Sequence, residues 1–312
     1  MKVILLAAGI GTRLLPITES LPKSMIEIAG KPILEYILDD LIISGFDDFC
    51  IVVGHHANQI KNYFKNWNKS GIKITFVTQN SLSGTADAVN CAKNFVHNEK
   101  FLVYLSDTLI PNLPNILKMI KNNDGDVSLI SSQNYSNPSN SIGNIVTSDN
   151  IVTHISEKSN ISNSVLAWAG IASFNDNSIF KIIKKLNLSK TGEYDITEAL
   201  NLMLKNEKTI QNFTCDKFID CGTLDGLLNG LSFIISKISN DSKIQNLSYV
   251  SNDCILGTNV TIEQNVSIGK NCSIGNNVSL SDCIILSNTS IGNDKKIKHK
   301  VIGGAKILND CS

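Results

Sequence analysis

Over the first 220 residues, short apolar runs alternate with amphipathic stretches. Residues 2–6, 49–53, 72–77 and 101–105 have the length and apolar character of buried or half-buried strands. Between them, residues 33–44 repeat apolar positions at helical spacing (Ile33, Leu34, Ile37, Leu38, Leu41) and stop at Gly45. Residues 58–67 and 85–95 read as further helices. This β-α-β-α rhythm predicts a mostly parallel sheet covered by helices, with ligands bound beyond the carboxyl ends of its strands. From about residue 126 the rhythm changes. Residues 126–131, 144–147, 151–155 and 166–174 are four strand-like runs with few helices between them. They predict an antiparallel or mixed insertion laid against the first sheet. Helices return at 178–186, 196–205 and 224–238, and the polar stretch 239–246 has the composition of a linker.

The last sixty or so residues follow another rule. Leu256, Ile262, Ile268, Ile274, Leu280 and Leu286 stand six apart, and Val260, Val266, Cys272, Val278 and Ile284 form a second series in the same step. Gly257, Gly269 and Gly275 follow the aliphatic residue in three repeats. A six-residue period of aliphatic and small residues predicts a parallel β-helix, three hexapeptides to each triangular coil. The register is expected to slip near Ile291 and Gly292, and the Lys-rich segment 295–300 to interrupt it. The expected organisation is a domain over 1–240 and a repeat domain over 247–312.

Composition sets the outer bounds. Hydrophobic residues make up 42% and charged residues 18%, which excludes a disordered chain. With 28 basic and 28 acidic side chains the formal charge is zero, so a nucleic-acid surface has no electrostatic support. No apolar run reaches the ~18 residues of a membrane span, and the run from Val3 to Ala8 is too short for a signal peptide. None of the eight cysteines forms a Cys-x-x-Cys pair. They are expected to be reduced thiols of a cytoplasmic protein, most of them filling the core.

The chemistry begins after the first strand, in the loop Ala7-Ala8-Gly9-Ile10-Gly11-Thr12-Arg13-Leu14. Two glycines one residue apart let backbone N–H groups approach phosphate oxygens, and Arg13 adds a permanent cation. Leu14 at the third glycine position excludes the dinucleotide fingerprint, and no Gly-Lys-Ser/Thr follows to make a Walker loop. By itself the glycine pair is equally a tight turn. Its continuation is more specific: Pro16, Thr18, Pro22-Lys23-Ser24-Met25 and Gly30-Lys31-Pro32 complete a long, spaced string. The string resembles that of the sugar-1-phosphate nucleotidylyltransferases, especially the glucose-1-phosphate thymidylyltransferase and related uridylyltransferase branch. Further matches lie at Gln79, Gly84-Thr85-Ala86, Asp107, Glu157-Lys158, Ala169-Gly170, Gly192-Glu193-Tyr194 and Asp220-x-Gly222-Thr223.

The resemblance implies a nucleotide-diphospho-sugar transferase fold: a Rossmann-like mixed α/β sheet flanked by helices, here followed by a short left-handed parallel β-helix. It implies attack of a sugar-1-phosphate oxygen on the α-phosphorus of a nucleoside triphosphate, with dTTP or UTP and glucose 1-phosphate favoured, releasing pyrophosphate. That transition state spreads negative charge over phosphoryl oxygens and needs alignment and countercharge more than a protein nucleophile. Arg13 and Lys23 are the implied catalytic cations. Ala8, Gly9, Gly11, Thr12, Gln79, Gly84 and Thr85 are the implied nucleotide contacts, with the Gln79 amide donating to and accepting from the base at once. Gly143, Glu157, Lys158 and Gly170 are implied on the sugar phosphate. Asp107 and Asp220, each after a strand-like run, are implied to hold Mg²⁺, which binds carboxylate and phosphate oxygens.

Some choices stay open at this level. The run Gly84-Thr85-Ala86-Asp87-Ala88-Val89 also resembles adenylyltransferases, and Met25-Ile26-Glu27-Ile28-Ala29-Gly30-Lys31-Pro32 resembles cytidylyltransferases. Ser159 follows Glu157-Lys158 where the family usually has proline. Trp168 either narrows a sugar pocket or, the preferred expectation, is a core aromatic. His299, flanked by Lys298 and Lys300, is expected to be solvated rather than the base of an acyltransferase. The chain is expected to self-associate, touching neither nucleic acid nor membrane. A nucleotide-sugar sensor without turnover is the second hypothesis, and a bifunctional nucleotidylyltransferase/acyltransferase the third.

Overall fold

The computed structural model describes residues 1–67, 69–133, 143–157, 166–189, 192–239, 244–303 and 306–308. The chain divides into two compact units. One comprises residues 1–9 and 38–218, and the other residues 10–37 and 219–312. Among the described residues no helix is long and apolar enough to cross a membrane.

The first unit is built on nine strands: β1 (Lys2–Ala7), β2 (Asp48–Val53), β3 (Lys73–Thr78), β4 (Phe101–Leu105), β5 (Val127–Ser132), β6 (Gly143–Ser148), β7 (Ile151–Glu157), β8 (Leu166–Phe174) and β9 (Ile210–Thr214). They form one sheet in the order β3-β2-β1-β4-β8-β5-β9-β7-β6. The strands β3, β2, β1 and β4 are mutually parallel, whereas β8 runs antiparallel to both β4 and β5. The helices α1 (Ile33–Ile43), α2 (Ala57–Lys65), α3 (Thr85–Cys91) and α4 (Lys93–Val96) supply the long crossovers that parallel strands require, and α5 (Leu113–Lys121) and α6 (Ser178–Ile183) follow along the chain. Alternate residues of the parallel strands (Ile4, Leu6, Cys50, Val52, Phe101, Val103) join a cluster with Ala86 and Val89 of α3 and Leu200 and Met203 of α7 (Ile196–Lys205). Trp168 belongs to that cluster and donates its indole N–H to the Ile171 carbonyl at 2.9 Å, so it is a core aromatic.

Several expectations are corrected here. The run of strands after residue 126 does not lie against the first sheet; β8 pairs directly with β4 and carries the same sheet onward. The helix expected over 85–95 breaks at Ala92. Leu113–Lys121 is a helix that the sequence reading missed, although Leu113, Ile116, Leu117 and Ile120 stand at helical spacing and all are buried. Strand β9 was missed for a different reason. Its middle residue is Asn212, a polar side chain buried by accepting the Ser131 hydroxyl at 2.7 Å.

In the second unit, residues 17 or 18 apart pair as parallel strands. The strands are β10 (Ser248–Val250), β11 (Ile255–Leu256), β12 (Thr261–Ile262), β13 (Val266–Ile268), β14 (Ser273–Ile274), β15 (Ser279–Ile285), β16 (Ser290–Ile291) and β17 (Lys296–Gly303). One ladder is β11-β14-β16, a second joins β12 to the starts of β15 and β17, and a third runs from β10 through β13 to the ends of β15 and β17. Ile268, Ile274, Leu280, Ile285, Ile291, Ile297 and Ile302 face one another in its core. Burying each contributes roughly 1.5–3 kcal/mol.

The step between ladders shortens earlier than expected. Ile262 pairs with Leu280, eighteen residues on, but Val266 pairs with Cys283, seventeen on. Ile285 and Cys283, not Leu286 and Ile284, therefore continue the two series. Nor does the Lys-rich segment interrupt the stack. It forms β17 in register, with Lys296 and Lys298 outward and Ile297 inward. Of the expected linker, residues 240–243 lie outside the described residues, while Ile244–Gln245 pairs with Ser248 and Tyr249.

The corners are the regular feature. Asn259, Asn265, Asn271, Asn277, Asp282, Asn288, Asp294 and His299 all have φ between 46° and 61°. Asn and Asp tolerate this left-handed conformation better than other side chains because they bond locally. Here they also bond to one another, Asn259 to Asn277 at 3.1 Å and Asn277 to Asp294 at 2.9 Å. His299 occupies such a corner with Nδ1 2.7 Å from Asp282 and Nε2 2.9 Å from Asp225, so it is clamped rather than solvated.

Residues 10–37 pack onto these ladders. The Ala29 N–H donates to Ser267 Oγ at 3.0 Å, Ser287 Oγ donates to Glu27 Oε2, and Lys306 pairs with Glu19 at 3.2 Å. Replacing Asn277 tests the corner account. Asn277→Ala loses both ladder bonds and strains φ, and is expected to cost about 2 kcal/mol in urea denaturation; Asn277→Gly keeps φ relaxed and should cost about half of that. Equal losses for the two would remove the left-handed corner as the cause.

Candidate functional site

In the first unit, four parallel strands end at one edge, and each is followed by an implied site residue or a close neighbour of one. Ala8 follows β1; its carbonyl accepts the His55 N–H at 3.1 Å, beside Gly54 at the end of β2. Gln79 follows β3 with its N–H on the Val53 carbonyl at 2.8 Å. Asp107 lies two residues beyond β4, after Ser106 has latched that strand to β1 through its hydroxyl on the Leu6 carbonyl at 2.7 Å. Asp107 is only 5% exposed. Parallel pairing alone therefore gathers Ala8, Gln79 and Asp107 at the carboxyl edge, where open α/β sheets bind ligands.

The loop after Gln79 is held by its own backbone. The Gln79 amide nitrogen donates to the Gly84 carbonyl at 3.0 Å and to Asp87 Oδ2 at 2.8 Å. Both hydrogens of this nitrogen are thus engaged within the protein, and Oε1 is the amide atom they leave for other partners. Gly84 has φ 105°, and a Cβ there would come within 2.6 Å of the Tyr194 carbonyl oxygen, so the close approach of that backbone requires its missing side chain. The Thr85 hydroxyl accepts the Ile196 N–H at 2.9 Å, closing the start of α7. Both residues shape the loop from behind.

On the strands implied to face the sugar, Gly143 pairs with Glu157 at the β6–β7 edge and lies against Trp168. Gly170 sits where the β8–β5 register shifts, and a Cβ on it would press into Leu105 of β4. Lys158 lies outside the described residues.

In the second unit, Gly11 precedes a single 3₁₀ turn, Thr12–Leu14, and its carbonyl accepts the Thr18 hydroxyl at 2.9 Å. Lys23 opens another such turn, with its aliphatic stem packed against Gly11. The side chain of Arg13 is 40% exposed and reaches Asp220 Oδ2 at 3.3 Å, while Asp220 Oδ1 accepts the Gly222 N–H at 2.8 Å. The structure thus brings together one implied phosphate cation and one implied metal carboxylate, residues 207 apart in the chain. Thr223 then caps α8 (Leu224–Lys237) through its hydroxyl on the Gly226 N–H.

Among the described residues no three His, Cys, Asp or Glu side chains gather into a metal-binding group. The donors of Asp107 and Asp220 are hard carboxylate oxygens. Taken singly, each is of the kind that suits Mg²⁺, which can take one protein carboxylate and complete its shell with water and phosphate oxygens. The buried thiols do not: burial pushes Cys50 and Cys283 up to about 12 and Cys215 up to about 11. Asp87 and Tyr194 stand in the matched motifs without an implied role, and the structure places both against the Gln79 loop. Asp87 is the one acidic residue of the run Gly84-Thr85-Ala86-Asp87-Ala88-Val89.

A parallel α/β sheet with polar residues gathered at its carboxyl edge defines the class of open α/β proteins that bind ligands there. Within that class the chain belongs to the nucleotidyl transferase family, whose profile matches residues 2–237; a GMPPB C-terminal domain profile matches residues 244–311. It is 34% identical over 245 residues to the bifunctional protein GlmU of Methanocaldococcus jannaschii, covering 77% of this chain and 56% of that protein. It is 31% identical over 218 residues to the UTP–glucose-1-phosphate uridylyltransferase AglF of Haloferax volcanii, covering 69% of this chain and 88% of that protein. The matched part spans between 56% and 59% of several curated relatives. A solved UDP-glucose pyrophosphorylase complexed with UDP-glucose superposes with a TM-score of 0.66 at 25% identity, over 76% of this chain and 98% of that one.

The Arg13 pocket has a direct test. A Cβ on Gly222 would come within 2.6 Å of Arg13 Nη2, the mobile end of a long side chain. Gly222→Ala is expected to cost less than about 1 kcal/mol of stability, yet to weaken nucleoside triphosphate binding about tenfold by calorimetry, because the guanidinium is pushed aside. Unchanged binding would show that this position of Arg13 is not the one that matters.

Proposed function

We propose that the protein transfers a nucleotidyl group from a nucleoside triphosphate, dTTP or UTP favoured, to a hexose 1-phosphate, glucose 1-phosphate favoured, releasing pyrophosphate. The observation that carries this is Arg13 held beside Asp220 and Gly222 in the unit that contains the Gly11 turn. The names of the uridylyltransferase relative and of the UDP-glucose pyrophosphorylase support the sugar phosphate and the uridine nucleotide.

In this mechanism an oxygen of the sugar phosphate attacks the α-phosphorus, and the bond to the β-phosphate breaks as pyrophosphate leaves. Arg13 and Lys23 neutralise the triphosphate, where charge accumulates on the departing oxygens. Ala8, Gly9, Gly11 and Thr12 offer backbone to the phosphates, and Gln79 meets the base. Gly143, Glu157, Lys158 and Gly170 are proposed on the sugar-phosphate side. Asp107 and Asp220 are each proposed as carboxylates for Mg²⁺, which supplies countercharge to the polyphosphate when bound. The protein needs no nucleophile of its own.

The catalytic domain is proposed to span 1–240, and the ladders of 247–312 to form a short left-handed parallel β-helix. Pairing at 17–18 residues and the left-handed Asn and Asp corners support that architecture. Leu256 is 43% exposed, where its ladder partner Ile274 is 3% exposed. This apolar end supports assembly into a homo-oligomer. The free cysteines among the described residues fit a cytoplasmic setting. Acyl transfer is not assigned to His299, because both of its ring nitrogens are engaged by carboxylates.

Pyrophosphate release, measured across five nucleoside triphosphates and several hexose 1-phosphates, decides the matter. Turnover should require Mg²⁺ and stop with EDTA, and no release from any pair would favour a nucleotide-sugar sensor. Arg13→Ala, Asp107→Asn and Asp220→Asn should each lower turnover by about 100-fold or more while the melting temperature moves by less than about 3 °C. Wild-type turnover in any one of them removes that residue from the site.

A further inference from the structure

The Gln79 side chain is buried, and its amide nitrogen is engaged twice within the first unit, by the Gly84 carbonyl and by Asp87 Oδ2. Both partners are acceptors only. Turning the amide over would set its oxygen against two other oxygens, so the orientation is fixed by chemistry. We infer that Asp87 is a positioning residue for base selection: it holds the Gln79 nitrogen inward, so that a nucleobase meets only Oε1. This rests on the base-contacting role proposed for Gln79.

A glutamine free to turn offers either a donor or an acceptor and can adapt to any base. A locked one offers an acceptor. Uracil, thymine and guanine carry a ring N–H at the centre of the Watson–Crick edge and can donate to it. Cytosine and adenine present a bare ring nitrogen there, whose lone pair faces those of Oε1. They are rejected by repulsion and by the cost of a polar atom left unpaired.

The surroundings keep the lock closed. Gly84 cannot drift, because the Ala86 N–H is bound to the Tyr194 carbonyl at 2.8 Å and the Tyr194 N–H to the Ser83 carbonyl at 2.8 Å. The charge of Asp87 is felt one helical turn on, at Cys91, whose thiol is pushed up first by burial and then by Asp87. A neutral amide nitrogen donating to an ionised carboxylate makes one of the stronger hydrogen bonds available in a protein.

Calorimetric binding of UTP, dTTP, GTP, CTP and ATP to the full chain, to Asp87→Ala and to Asp87→Asn tests the inference. The unmodified protein should bind at least one of UTP, dTTP and GTP about tenfold or more tighter than CTP and ATP. Asp87→Ala should shrink that ratio about fivefold or more by freeing the amide to turn, and Asp87→Asn, which keeps an acceptor oxygen for Gln79, should restore it to within about twofold. A merely structural role would weaken all five nucleotides alike. That result, an unchanged ratio in Asp87→Ala, or an unmodified protein that prefers CTP or ATP overturns the inference. Pyrophosphate release on the same samples reports separately on catalysis: no turnover with the binding ratios as expected would sink the transferase function and leave base selection standing.

Discussion

Parallel pairing of β3, β2, β1 and β4 is the constraint on which the carboxyl edge of the first unit depends. Parallel strands all point their carboxyl ends one way, so residues far apart in sequence are delivered to a single edge without any contact between their side chains. Ala8, Gln79 and Asp107 owe their common location to that arrangement. The apolar cluster beneath them, from Ile4 to Met203, fixes the strands in register and holds the edge rigid. The antiparallel continuation through β8 then brings Gly170 against Leu105, next to the same strand ends.

In the second unit a different physical problem is solved. Arg13 is kept in place while its side chain stays 40% exposed. Asp220 anchors the guanidinium, and the bare Gly222 leaves the room that it occupies. A half-exposed ion pair of this kind adds little to stability, since solvent screens it and two side chains are ordered to make it. What the pair does is fix the place of a cation beside a carboxylate at the surface of this unit.

The C-terminal ladders add a structural lesson about asparagine. Aliphatic residues supply the driving force, but the corners decide where the chain can turn, and the Asn and Asp residues there form bonded rows along the stack. His299 takes a place in one of these rows, between Asp282 and Asp225. Residues 27–32 lean on the same ladders through Ser267 and Ser287, which ties the start of the chain to its end within one unit.

The sequence by itself determined the strand–helix rhythm, the six-residue period, and the string from Gly9 to Pro32, because hydrophobic periodicity and glycine or proline punctuation are local properties of a chain. Arg13, Gln79, Asp107 and Asp220 became candidates through the family resemblance that this string carries, not through periodicity. Tertiary structure alone decided the rest. Strand β9 could not be read from Ile210–Thr214, because the burial of Asn212 depends on a hydroxyl 81 residues away. The shortened step at Cys283 is set by which strand it stacks on, and a one-residue slip leaves no mark on a run of Cys-Ile-Ile-Leu, where every residue is apolar. The orientation of Gln79 hangs on Asp87 and on a carbonyl pinned by Tyr194. Hydrogen bonds between distant segments carry no periodicity, and so only the folded chain reveals them.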